Sequence, residues 1–376
     1  MAVLDLGALF GSLSRLPDVE ADNLHAFDAT DKLLLETAVD FCSPDSRIVV
    51  IGDRYGALTL GTLAGLGVGH VRVHQDLFTG RLALQRNARG TLGEGRYSPH
   101  ELGRELLEDA ELVLLQLPKS LAELEEIADA VARFAAPGAV LLAGGRVKHM
   151  SVGMNSVLEK YFASVQPQLA RQKSRVLIAR DPKRILSEPP FPVVEPLPEL
   201  GITVSAQGAV FAGARLDIGT RYLLTFLDRM PEASRVVDLG CGTGILATMI
   251  ARKQPKAQVI ATDQSAAAVA SARGTALASG LAGRITVLHD DAMSSLPASS
   301  VDLILLNPPF HLGASVHAGA GLKMIEAAAR VLAPGGELWT VYNSHLQYRP
   351  TLERFVGPTS EEGRNPKFTV TRSKKS

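Results

Sequence analysis

Residues 236–246 read Val-Val-Asp-Leu-Gly-Cys-Gly-Thr-Gly-Ile-Leu, and this stretch decides the fold of the second half of the chain. Apolar residues lead into Asp238, glycines follow at positions 240, 242 and 244, and a helix-like apolar pattern comes next. This order predicts a buried strand, a tight turn and the N-terminus of a helix. Glycines let the backbone turn sharply and a ligand come close, and the free N–H groups at a helix start suit polar or anionic ligand atoms.

The length and composition predict an ordinary globular protein. The chain has 376 residues, of which 46% are hydrophobic, and its formal net charge is zero. This length predicts roughly two to three domains. The zero net charge excludes a highly basic coat protein for nucleic acid, so any RNA binding needs a local patch. The two cysteines, Cys42 and Cys241, suit a reducing compartment, and we expect no disulfide.

The sequence also predicts where the protein is found and what it does not bind. Residues 1–16 lack the basic start of a signal peptide, and no run of about 20 apolar residues occurs in the chain. We therefore expect a soluble, cytoplasmic protein without a membrane partner. The nine histidines show no metal-ligand spacing, so no metal site is expected.

Patterns typical of strands alternate with patterns typical of helices in both halves of the chain. This alternation predicts an α/β fold with a parallel, doubly wound sheet in each half. Strands are predicted at residues 47–52, 71–76, 111–119, 137–143, 202–205, 258–263, 284–289, 301–306, 334–341 and 368–372. Helices are predicted at residues 24–39, 122–134 and 157–162 and towards the end of 216–224.

The two halves carry the same landmarks, which indicates an internal duplication. Gly52 precedes the acid after the next strand by 24 residues, and Gly240 precedes Asp263 by 23. Leu-Leu-Gln-Leu-Pro-Lys at 114–119 mirrors Leu-Leu-Asn-Pro-Pro-Phe at 305–310. A general likeness among doubly wound domains remains the alternative explanation.

The first copy lacks the residues that carry chemistry in the second. Gly-Asp-Arg-Tyr-Gly at 52–56 stands in place of Gly-Cys-Gly-Thr-Gly, and Arg54 and Tyr55 are predicted to fill the space that the second turn leaves for a ligand. Cys241 is small enough for such a turn, and we interpret it as a space-filling residue rather than a nucleophile.

Acidic residues follow two predicted strands at the sheet edge where ligands bind in such folds. Asp263 can accept hydrogen bonds from two ribose hydroxyls, and its alternative role is a helix N-cap. Asp291, followed by Ala292, can accept a hydrogen bond from an adenine amino group. Asp290 competes with Asp291 for this role.

The motif Asn307-Pro308-Pro309-Phe310 follows another strand, and it is the most specific signal in the chain. An amino group conjugated to a base is a poor nucleophile because its lone pair is delocalised into the ring. The Asn307 side-chain oxygen and a backbone carbonyl can accept both of its N–H bonds, which favours tetrahedral geometry. Pro308 keeps Asn307 extended and has a carbonyl but no N–H. Phe310 offers a flat face for stacking a base taken out of its helix.

These motifs resemble those of a known class of enzymes. The spacing Gly-x-Gly-x-Gly after Asp238 resembles the first motif of the Rossmann-like S-adenosylmethionine-dependent methyltransferases and differs from the dinucleotide fingerprint Gly-x-Gly-x-x-Gly. Nearly the whole chain resembles the bacterial ribosomal RNA guanine-N2 methyltransferases, of the small-subunit "C" and large-subunit "G" types, with a start closer to the large-subunit type. The resemblance is carried by Leu-His-Ala-Phe-Asp-Ala-Thr-Asp at 24–31, Ala-Arg-Asp-Pro at 179–182, Gly-Ala-Val-Phe at 208–211, Leu-Asp-Ile-Gly-Thr at 216–220 and Asn-Pro-Pro-Phe-His at 307–311.

The resemblance implies two tandem Rossmann-like class I methyltransferase domains with mainly parallel sheets, of which the N-terminal one is degenerate. Residues 1–165 form that first domain, 166–200 a basic and Pro-rich linker, and 201–376 the catalytic domain. The implied cofactor is S-adenosylmethionine. Its implied binding residues are Phe211, Asp217, Thr220, Asp238, Gly240, Cys241, Gly242, Gly244, Asp263, Asp291, Ala292 and Asn307.

The implied reaction is methyl transfer to the exocyclic N2 amine of a guanine in ribosomal RNA. The partner is ribosomal RNA or a ribosomal subunit, and the oligomeric state stays open, with a monomer favoured. The first copy is expected to support the fold and RNA binding. Candidates for contacts with phosphates are Arg171, Lys173, Arg175, Lys183 and Arg184, together with the basic tail at 372–376, with a solvated surface as the alternative.

Two other functions remain open at this point. The same chemistry could act on adenine N6 or on a glutamine amide, although those enzymes more often carry Tyr where this chain has Phe310. A non-catalytic RNA-binding assembly factor is the other alternative, and the intact glycine turn argues against it. His311 is interpreted as a loop residue rather than a pocket residue, and residues 313–321 could close over the base.

Overall fold

The structure is a computed structural model that describes residues 6–21, 23–308 and 315–376, with the backbone alone for 315–318 and 320. The chain forms two compact units, Met1–Phe191 and Pro192–Ser376. The predicted α/β architecture with two Rossmann-like domains is confirmed, because each unit has a mainly parallel sheet with flanking helices.

The described part of the first unit contains a seven-stranded sheet and seven α-helices. Its strands are β1 (Ile48–Ile51), β2 (Val71–His74), β3 (Tyr97–Pro99), β4 (Leu112–Gln116), β5 (Val140–Arg146), β6 (Phe162–Pro167) and β7 (Ser174–Pro182). Its helices are α1 (Leu6–Ser12), α2 (Ala29–Ala38), α3 (Ala57–Gly65), α4 (Phe78–Ala88), α5 (Arg104–Leu107), α6 (Leu121–Phe134) and α7 (Val152–Tyr161).

The second unit adds a two-stranded ribbon to a second seven-stranded sheet. Its strands are β8 (Val193–Leu197), β9 (Ile202–Ala206), β10 (Arg235–Leu239), β11 (Gln258–Asp263), β12 (Ile285–His289), β13 (Val301–Leu306), β14 (Leu332–Asn343), β15 (Thr359–Arg364) and β16 (Phe368–Lys374). Its helices are α8 (Ile218–Leu224), α9 (Ile245–Lys253), α10 (Ala266–Ala278), α11 (Ser315–Val331) and α12 (Arg349–Phe355).

The two large sheets have the same topology. The order is β3-β2-β1-β4-β5-β7-β6 in the first unit and β12-β11-β10-β13-β14-β16-β15 in the second. In both sheets the first five strands are parallel, and the last two are antiparallel to their neighbours. The repeated topology extends the duplication inferred from sequence landmarks to every strand of the sheet.

Both faces of each sheet are covered by helices, so the central strands are buried on both sides. Ile48 and Val50 of β1 pack in one apolar cluster, and Val49 and Ile51 pack in another on the opposite face. All four residues are at most 1% exposed. Burying such a side chain contributes about 1.5–3 kcal/mol relative to leaving it in water, so these runs anchor the sheet.

The predicted helix at residues 24–39 is real but shorter than the apolar pattern suggests. It begins as α2, after Asp28, whose side chain accepts a hydrogen bond from the Thr30 backbone N–H. The Asp31 side chain in turn accepts from the Asp28 backbone N–H at 2.8 Å. This reciprocal capping box fixes the helix start, and the apolar residues before it lie in a loop.

The bounds predicted for the linker, residues 166–200, are wrong. Residues 174–182 form β7, which pairs with both β5 and β6 inside the first sheet. Residues 193–197 form β8, which pairs with β9 and belongs to the second unit. The basic residues of this stretch therefore lie on a sheet strand and its flanks. In the part of the chain that the structure describes, no helix is both long and apolar enough to cross a membrane.

Candidate active site

The glycine turn connects β10 to α9, as the sequence predicts. Gly240, Gly242 and Gly244 have φ values of 73°, 52° and 76°, in the left-handed region where glycine has no steric penalty. A Cβ atom on Gly244 would lie 2.9 Å from the Ala272 Cβ atom of α10, so this glycine permits close helix packing. A Cβ atom on Gly242 would meet nothing within 4 Å, so open space lies beside the middle of the turn.

Two side chains of the turn are buried beneath it. The Asp238 side chain is 1% exposed, and its Oδ2 accepts a hydrogen bond from the Ala247 backbone N–H at 2.9 Å. Burial raises the pKa of Asp238 to about 7, and the nearby Asp263 adds to this rise. Cys241 is 8% exposed, and burial raises the pKa of its thiol. A thiol held protonated in this way is a poor nucleophile, which agrees with its interpretation as a space-filling residue.

Asp263 ends β11 and braces the turn from the side. Its Oδ2 accepts from the Gly242 backbone N–H at 3.0 Å, and its Oδ1 accepts from the Ser265 backbone N–H at 2.9 Å. Ser265 rather than Asp263 is the N-cap of α10. These two bonds fix the carboxylate beside the middle of the turn.

The structure distinguishes the roles of the two neighbouring acids after β12, Asp290 and Asp291. Asp290 is 3% exposed, and its oxygens accept hydrogen bonds from Ser294, Ser295 and the Asp291 backbone N–H. Burial acts to raise the pKa of Asp290, but these hydrogen bonds outweigh it and lower the pKa. Asp290 thus has no acceptor site left for a ligand, and Asp291 remains the candidate.

Asp291 lies beside helix α11. Its side chain is 12% exposed and forms an ion pair with the Lys323 ammonium group. Ala292 follows with a φ of 49°, a conformation that is uncommon for alanine. The ion pair fixes the Asp291 carboxylate next to α11.

The Asn307 side chain is held in one orientation by the start of α8. Its Nδ2 donates to the Asp217 Oδ2 and to the Thr220 Oγ1, each at 3.0 Å. Asp217 is also the N-cap of α8, and its side chain accepts from the Thr220 backbone N–H at 3.1 Å. Both protons of the amide thus point towards α8, and the Asn307 Oδ1 is left as the free acceptor.

The Asn307 Oδ1 is buried and has no hydrogen-bond partner among the described residues. A buried acceptor without a partner costs free energy, so such an atom indicates a site that is completed by a ligand. A Cβ atom on Gly219 would lie 3.0 Å from the Asp217 Oδ2 and 3.1 Å from the Asn307 Oδ1. Glycine at position 219 therefore leaves the space in which these groups approach each other.

The sequence did not indicate this network. It placed Asp217 and Thr220 beside the cofactor by resemblance, whereas the structure shows both holding Asn307. The sequence feature that could have indicated these contacts is an Asp at a helix N-cap position, followed three residues later by Thr.

The remaining predicted site residues are placed only in part. Phe211 is 67% exposed and lies in the irregular segment between β9 and α8. Pro308 is buried directly after β13. Pro309, Phe310 and His311 lie outside the described residues, as does the start of the segment 313–321. Over the ranges that are described, no group of three or more His, Cys, Asp or Glu side chains is arranged to hold a metal ion.

The five residues predicted to contact RNA lie at the two opposite ends of strand β7 in the first sheet. Arg171, Lys173 and Arg175 lie near the start of β7, next to the end of β5, because Ser174 pairs with Arg146 in antiparallel register. Arg171 forms an ion pair with Glu36 at 3.0 Å. Lys183 and Arg184 follow the end of β7, at the other edge of the sheet. The basic tail is likewise at the edge opposite to Asn307, since Lys374 pairs with Glu337 near the start of β14.

The same crevice in the first copy is closed by its own side chains. Gln116, at the position of Asn307, donates to the buried Asp31. The Tyr55 hydroxyl donates to the Asp18 Oδ2 at 2.7 Å, and the Arg15 guanidinium lies 4.6 Å from the centre of the Tyr55 ring. The cavity left between these groups measures about 50 Å³. Pockets for small ligands are typically about 300 Å³ or larger, so this space is too small for a nucleoside.

Each unit of the chain matches a known protein family. Residues 1–183 match the family described as the RLMG N-terminal domain, and residues 201–372 match the methyltransferase small domain. Among solved structures, the 16S rRNA N2 methyltransferase (RsmC) of T. thermophilus, in complex with AdoMet and guanosine, superposes with a TM-score of 0.73. It is 22% identical in sequence, and the match covers 93% of this chain and 92% of that chain, which supports the fold of both units.

The curated relatives extend over nearly the full length. Ribosomal RNA large subunit methyltransferase G of Streptomyces avermitilis is 36% identical over 376 residues, which cover 97% of each chain. The protein of the same name from Pseudomonas aeruginosa is 36% identical over 369 residues, covering 96% of this chain and 97% of its own. With this identity over both units, the chain belongs to the ribosomal RNA large subunit methyltransferase G family.

Proposed function

We propose that the second unit transfers a methyl group from S-adenosylmethionine to the exocyclic N2 amine of a guanine in large-subunit ribosomal RNA. The observation that carries this proposal is the Asn307 amide, which turns its two protons to Asp217 and Thr220 and leaves its buried oxygen without a partner among the described residues. An acceptor fixed in this way fits the N–H group of an aromatic amine. The names of the relatives support ribosomal RNA of the large subunit as the substrate.

The chain's own residues contribute mainly positioning. The Asn307 Oδ1 accepts one N–H of the amine, and the Pro308 carbonyl accepts the other. These two bonds favour a tetrahedral nitrogen whose lone pair points away from both acceptors. Because Asp217 and Thr220 hold the amide before substrate arrives, little side-chain freedom is lost on binding, which lowers the barrier. Phe310 is proposed to stack on the base, as its position in the motif predicts.

The residues around the glycine turn fit the implied cofactor, which supplies an electrophilic methyl group when bound. The open space at Gly242 allows a ligand to approach the backbone, with Gly240, Cys241, Gly244 and Asp238 shaping the turn. Asp263 is proposed to accept hydrogen bonds from ribose hydroxyls, and Asp291, followed by Ala292, is proposed to accept one from the adenine amino group. Phe211, exposed in the segment before α8, is retained as a residue that covers the cofactor.

The partner is proposed to be ribosomal RNA or a ribosomal subunit, and the protein is proposed to act in the cytoplasm, where ribosomes are assembled. The first unit, with its closed crevice, is proposed to support the fold and to hold RNA. The candidates for phosphate contacts are Arg171, Lys173 and Arg175 near the start of β7, and Lys183 and Arg184 after its end. Because the two groups lie at opposite ends of the strand, variants of each group can be tested separately.

Mass spectrometry of ribosomal RNA from a deletion strain tests the proposal. We expect one N2-methylguanosine in the large-subunit RNA to be lost, and to return when the wild-type gene is restored. Isothermal titration calorimetry with S-adenosylmethionine is expected to give one site per chain. Unchanged N2-methylguanosine at every position would contradict the proposed substrate, and a second cofactor site would contradict the closed first crevice.

A further inference from the structure

A second asparagine lies at the same edge of the second sheet as Asn307. Asn343 is the last residue of β14, which runs parallel to β13. Leu306 pairs with Thr340, so Asn343 lies two positions further along β14 than the residue beside Asn307. With strands about 4.8 Å apart and a rise of about 3.3 Å per residue, the two asparagine Cα atoms are roughly 8 Å apart. Both side chains are therefore within reach of one small aromatic ring.

Asn343 belongs to the face of the sheet that is covered by α8. On β14, Trp339 and Val341 pack in the apolar cluster that contains Leu223 of α8. Tyr342 packs in the cluster on the opposite face. Since side chains alternate along a strand, Asn343 continues the face of Trp339 and Val341.

Asn307 lies on this same face. Leu303 and Leu305 of β13 pack in the apolar cluster of α8, and Asn307 continues their alternation. The hydrogen bonds from the Asn307 amide to the start of α8 agree with this placement. Two amide side chains thus share one edge and one face on neighbouring strands.

The two asparagines also share an unusual condition. The Asn343 Oδ1 is buried and, like the Asn307 Oδ1, has no hydrogen-bond partner among the described residues. Over the described ranges, these two atoms are the only side-chain amide oxygens that are buried in this way. A buried acceptor without a partner costs free energy, so the second one also indicates a ligand that completes it.

The end of β14 and the cofactor residues lie on opposite sides of Asn307. The sheet order places β10, β11 and β12 on one side of β13 and places β14 on the other. The glycine turn, Asp263 and Asp291 follow the first three of these strands. An amine at Asn307 must direct its lone pair towards the cofactor methyl group, so the ring that carries it extends away from the cofactor. Asn343 lies on that side.

The first copy differs at both positions. Leu115 pairs with Ala143 as Leu306 pairs with Thr340, so the residue that corresponds to Asn343 is Arg146. Gln116 corresponds to Asn307 and bonds to Asp31. The pair of asparagines is therefore found in the copy with the open site and not in the copy whose crevice is closed.

The chemistry of guanine suits two such acceptors. Its N1–H donor is adjacent to the 2-amino group, and its O6 acceptor follows on the same edge. When the amine donates to the Asn307 Oδ1 and the Pro308 carbonyl, N1–H is the next donor in line. An asparagine amide has an acceptor and donors side by side, so its oxygen can accept from N1–H while its nitrogen donates to O6.

We propose that Asn343 binds the N1–H of the target guanine and determines the preference for guanine over other bases with a 2-amino group. The proposal rests on the function proposed above and adds to it a second contact with the base. A purine without a proton on N1 leaves the Asn343 Oδ1 unpaired in a buried site. Sites built on buried polar groups reject such analogues strongly.

The test uses large-subunit ribosomal RNA in which the modified guanine is replaced by 2-aminopurine, introduced by ligation of a short synthetic strand. Both bases carry the 2-amino group, but 2-aminopurine lacks N1–H and O6. Values of kcat/KM for methyl transfer are measured on both RNAs with the full-length wild type and with Asn343→Leu. The intrinsic reactivity of each amine is the same with either enzyme, so it cancels when the guanine to 2-aminopurine ratios are compared.

We expect Asn343→Leu to lower this ratio by about 10- to 100-fold, the cost of an unmade hydrogen bond to a buried group. Most of the change is expected as lost activity on guanine. The matched control is Thr340→Val, which removes another buried oxygen without a partner among the described residues, on the same strand but on the opposite face. Its ratio is expected to equal that of the wild type, and both variants are expected to bind S-adenosylmethionine normally.

An unchanged ratio in Asn343→Leu would overturn the inference. An equal loss on both RNAs would also overturn it, because that result means a contact with the ribose or a role in shaping the pocket. Asn343→Ser, whose side chain is too short to reach the base, gives the same comparison if the leucine variant does not fold.

Failure of this inference differs from failure of the proposed function. If the wild type methylates the guanine and the ratio does not depend on residue 343, the role of Asn343 is wrong and the function stands. If the wild type leaves every guanine of the large-subunit RNA unmethylated, the function is wrong and the role of Asn343 is rejected with it.

Discussion

The two copies of the fold differ in what each places at one equivalent position. Directly after β13, the Asn307 amide oxygen has no partner among the described residues, whereas at the end of β4 the Gln116 amide donates to Asp31. Two residues after the capping aspartate, the second copy has Gly219, and the first has the buried Thr30, which shares a hydrogen bond with Ser174. The sheets have the same strand order, so the chemistry depends on a few side chains at one edge.

Small residues keep the site of the second copy open, and larger side chains fill the equivalent crevice of the first. In the second copy, Gly242 leaves open space beside the turn, and Gly219 allows the Asp217 carboxylate and the Asn307 amide to lie close together. In the first copy, Tyr55 and Arg15 occupy the corresponding crevice and are held by Asp18. A larger side chain with its own partner is sufficient to close such a crevice.

Asn307→Ala tests the largest expected difference between the copies. Removing the oriented acceptor is expected to lower kcat by about 100- to 1000-fold, the range seen when one preorganised hydrogen-bonding group is deleted. The Kd for S-adenosylmethionine, measured by calorimetry, is expected to stay within about twofold. The matched control is Gln116→Ala, which should leave kcat unchanged. Full activity in Asn307→Ala would contradict the role of the amide.

Asp263→Ala tests whether the acid after the second strand binds cofactor in one copy only. The affinity for S-adenosylmethionine is expected to fall by roughly 1–3 kcal/mol, because ribose hydroxyls lose their acceptor and the turn loses its brace at the Gly242 N–H. Asp76→Ala, the equivalent change in the first copy, is expected to have no effect on this affinity. An unchanged dissociation constant in Asp263→Ala would reject the assignment.

Gly219→Ala introduces into the second copy part of what Thr30 provides in the first. The new Cβ atom would lie 3.0 Å from the Asp217 Oδ2 and 3.1 Å from the Asn307 Oδ1, so the amide must shift by a few tenths of an ångström. We expect a loss of about tenfold in kcat, since small misplacements of positioning groups are costly. Gly283→Ala is the control, because a Cβ atom there meets nothing within 4 Å. Equal kcat values in both variants would mean that this space is not needed.

The last expected difference concerns stability and pH rather than activity. Burial raises the pKa of Asp238 to about 7 in the folded protein, against about 3.9 for an unfolded chain. The native state then binds more protons than the unfolded state between these values, so this contribution to stability is present below about pH 4 and is lost as pH rises to about 7. One group changes stability by at most about 1.4 kcal/mol per pH unit.

Thermal unfolding of the cofactor-free protein at pH 5 and pH 7.5 measures this effect. The midpoint of Asp238→Asn is expected to rise relative to the wild type as pH increases, because asparagine stays neutral and can still accept from the Ala247 N–H. In the first copy, both oxygens of Asp53 accept backbone N–H bonds, from Gly56 and Thr59, whereas the Asp238 Oδ1 has no partner among the described residues. A difference between the two proteins that does not change with pH would refute the shifted pKa.

The sequence predicted the central strands well because they are continuous apolar runs, such as β1 and β13, that cannot be mistaken for exposed segments. It did not predict β3, β6 or β15, which are the outermost strands of their sheets. These strands have mixed polarity and gain their conformation from a neighbouring strand. The basic residues near the ends of β7 concealed a strand whose central residues, 176 to 179, are buried on both faces of the sheet. Local composition was a poor guide there, because pairing with β5 decided the structure.

The candidate site was predicted in part for a similar reason. The glycine turn, Asp263 and Asn307 could be placed, because each follows a strong strand pattern. The competition between Asp290 and Asp291 could not be resolved, since it depends on hydrogen bonds from Ser294 and Ser295. The bonds from Asn307 to α8 join residues 87 and 90 positions apart in sequence, a separation over which local patterns carry no information.

Asp217 has two structural roles in the second copy. It begins α8 by accepting from the Thr220 N–H, and it also receives the Asn307 amide. In the first copy, Asp28 begins α2 in the same way, and the Gln116 amide donates to Asp31 instead. Capping a helix is thus a sufficient reason for an aspartate at this position, so an aspartate there in another copy of the fold is not by itself evidence of methyl transfer.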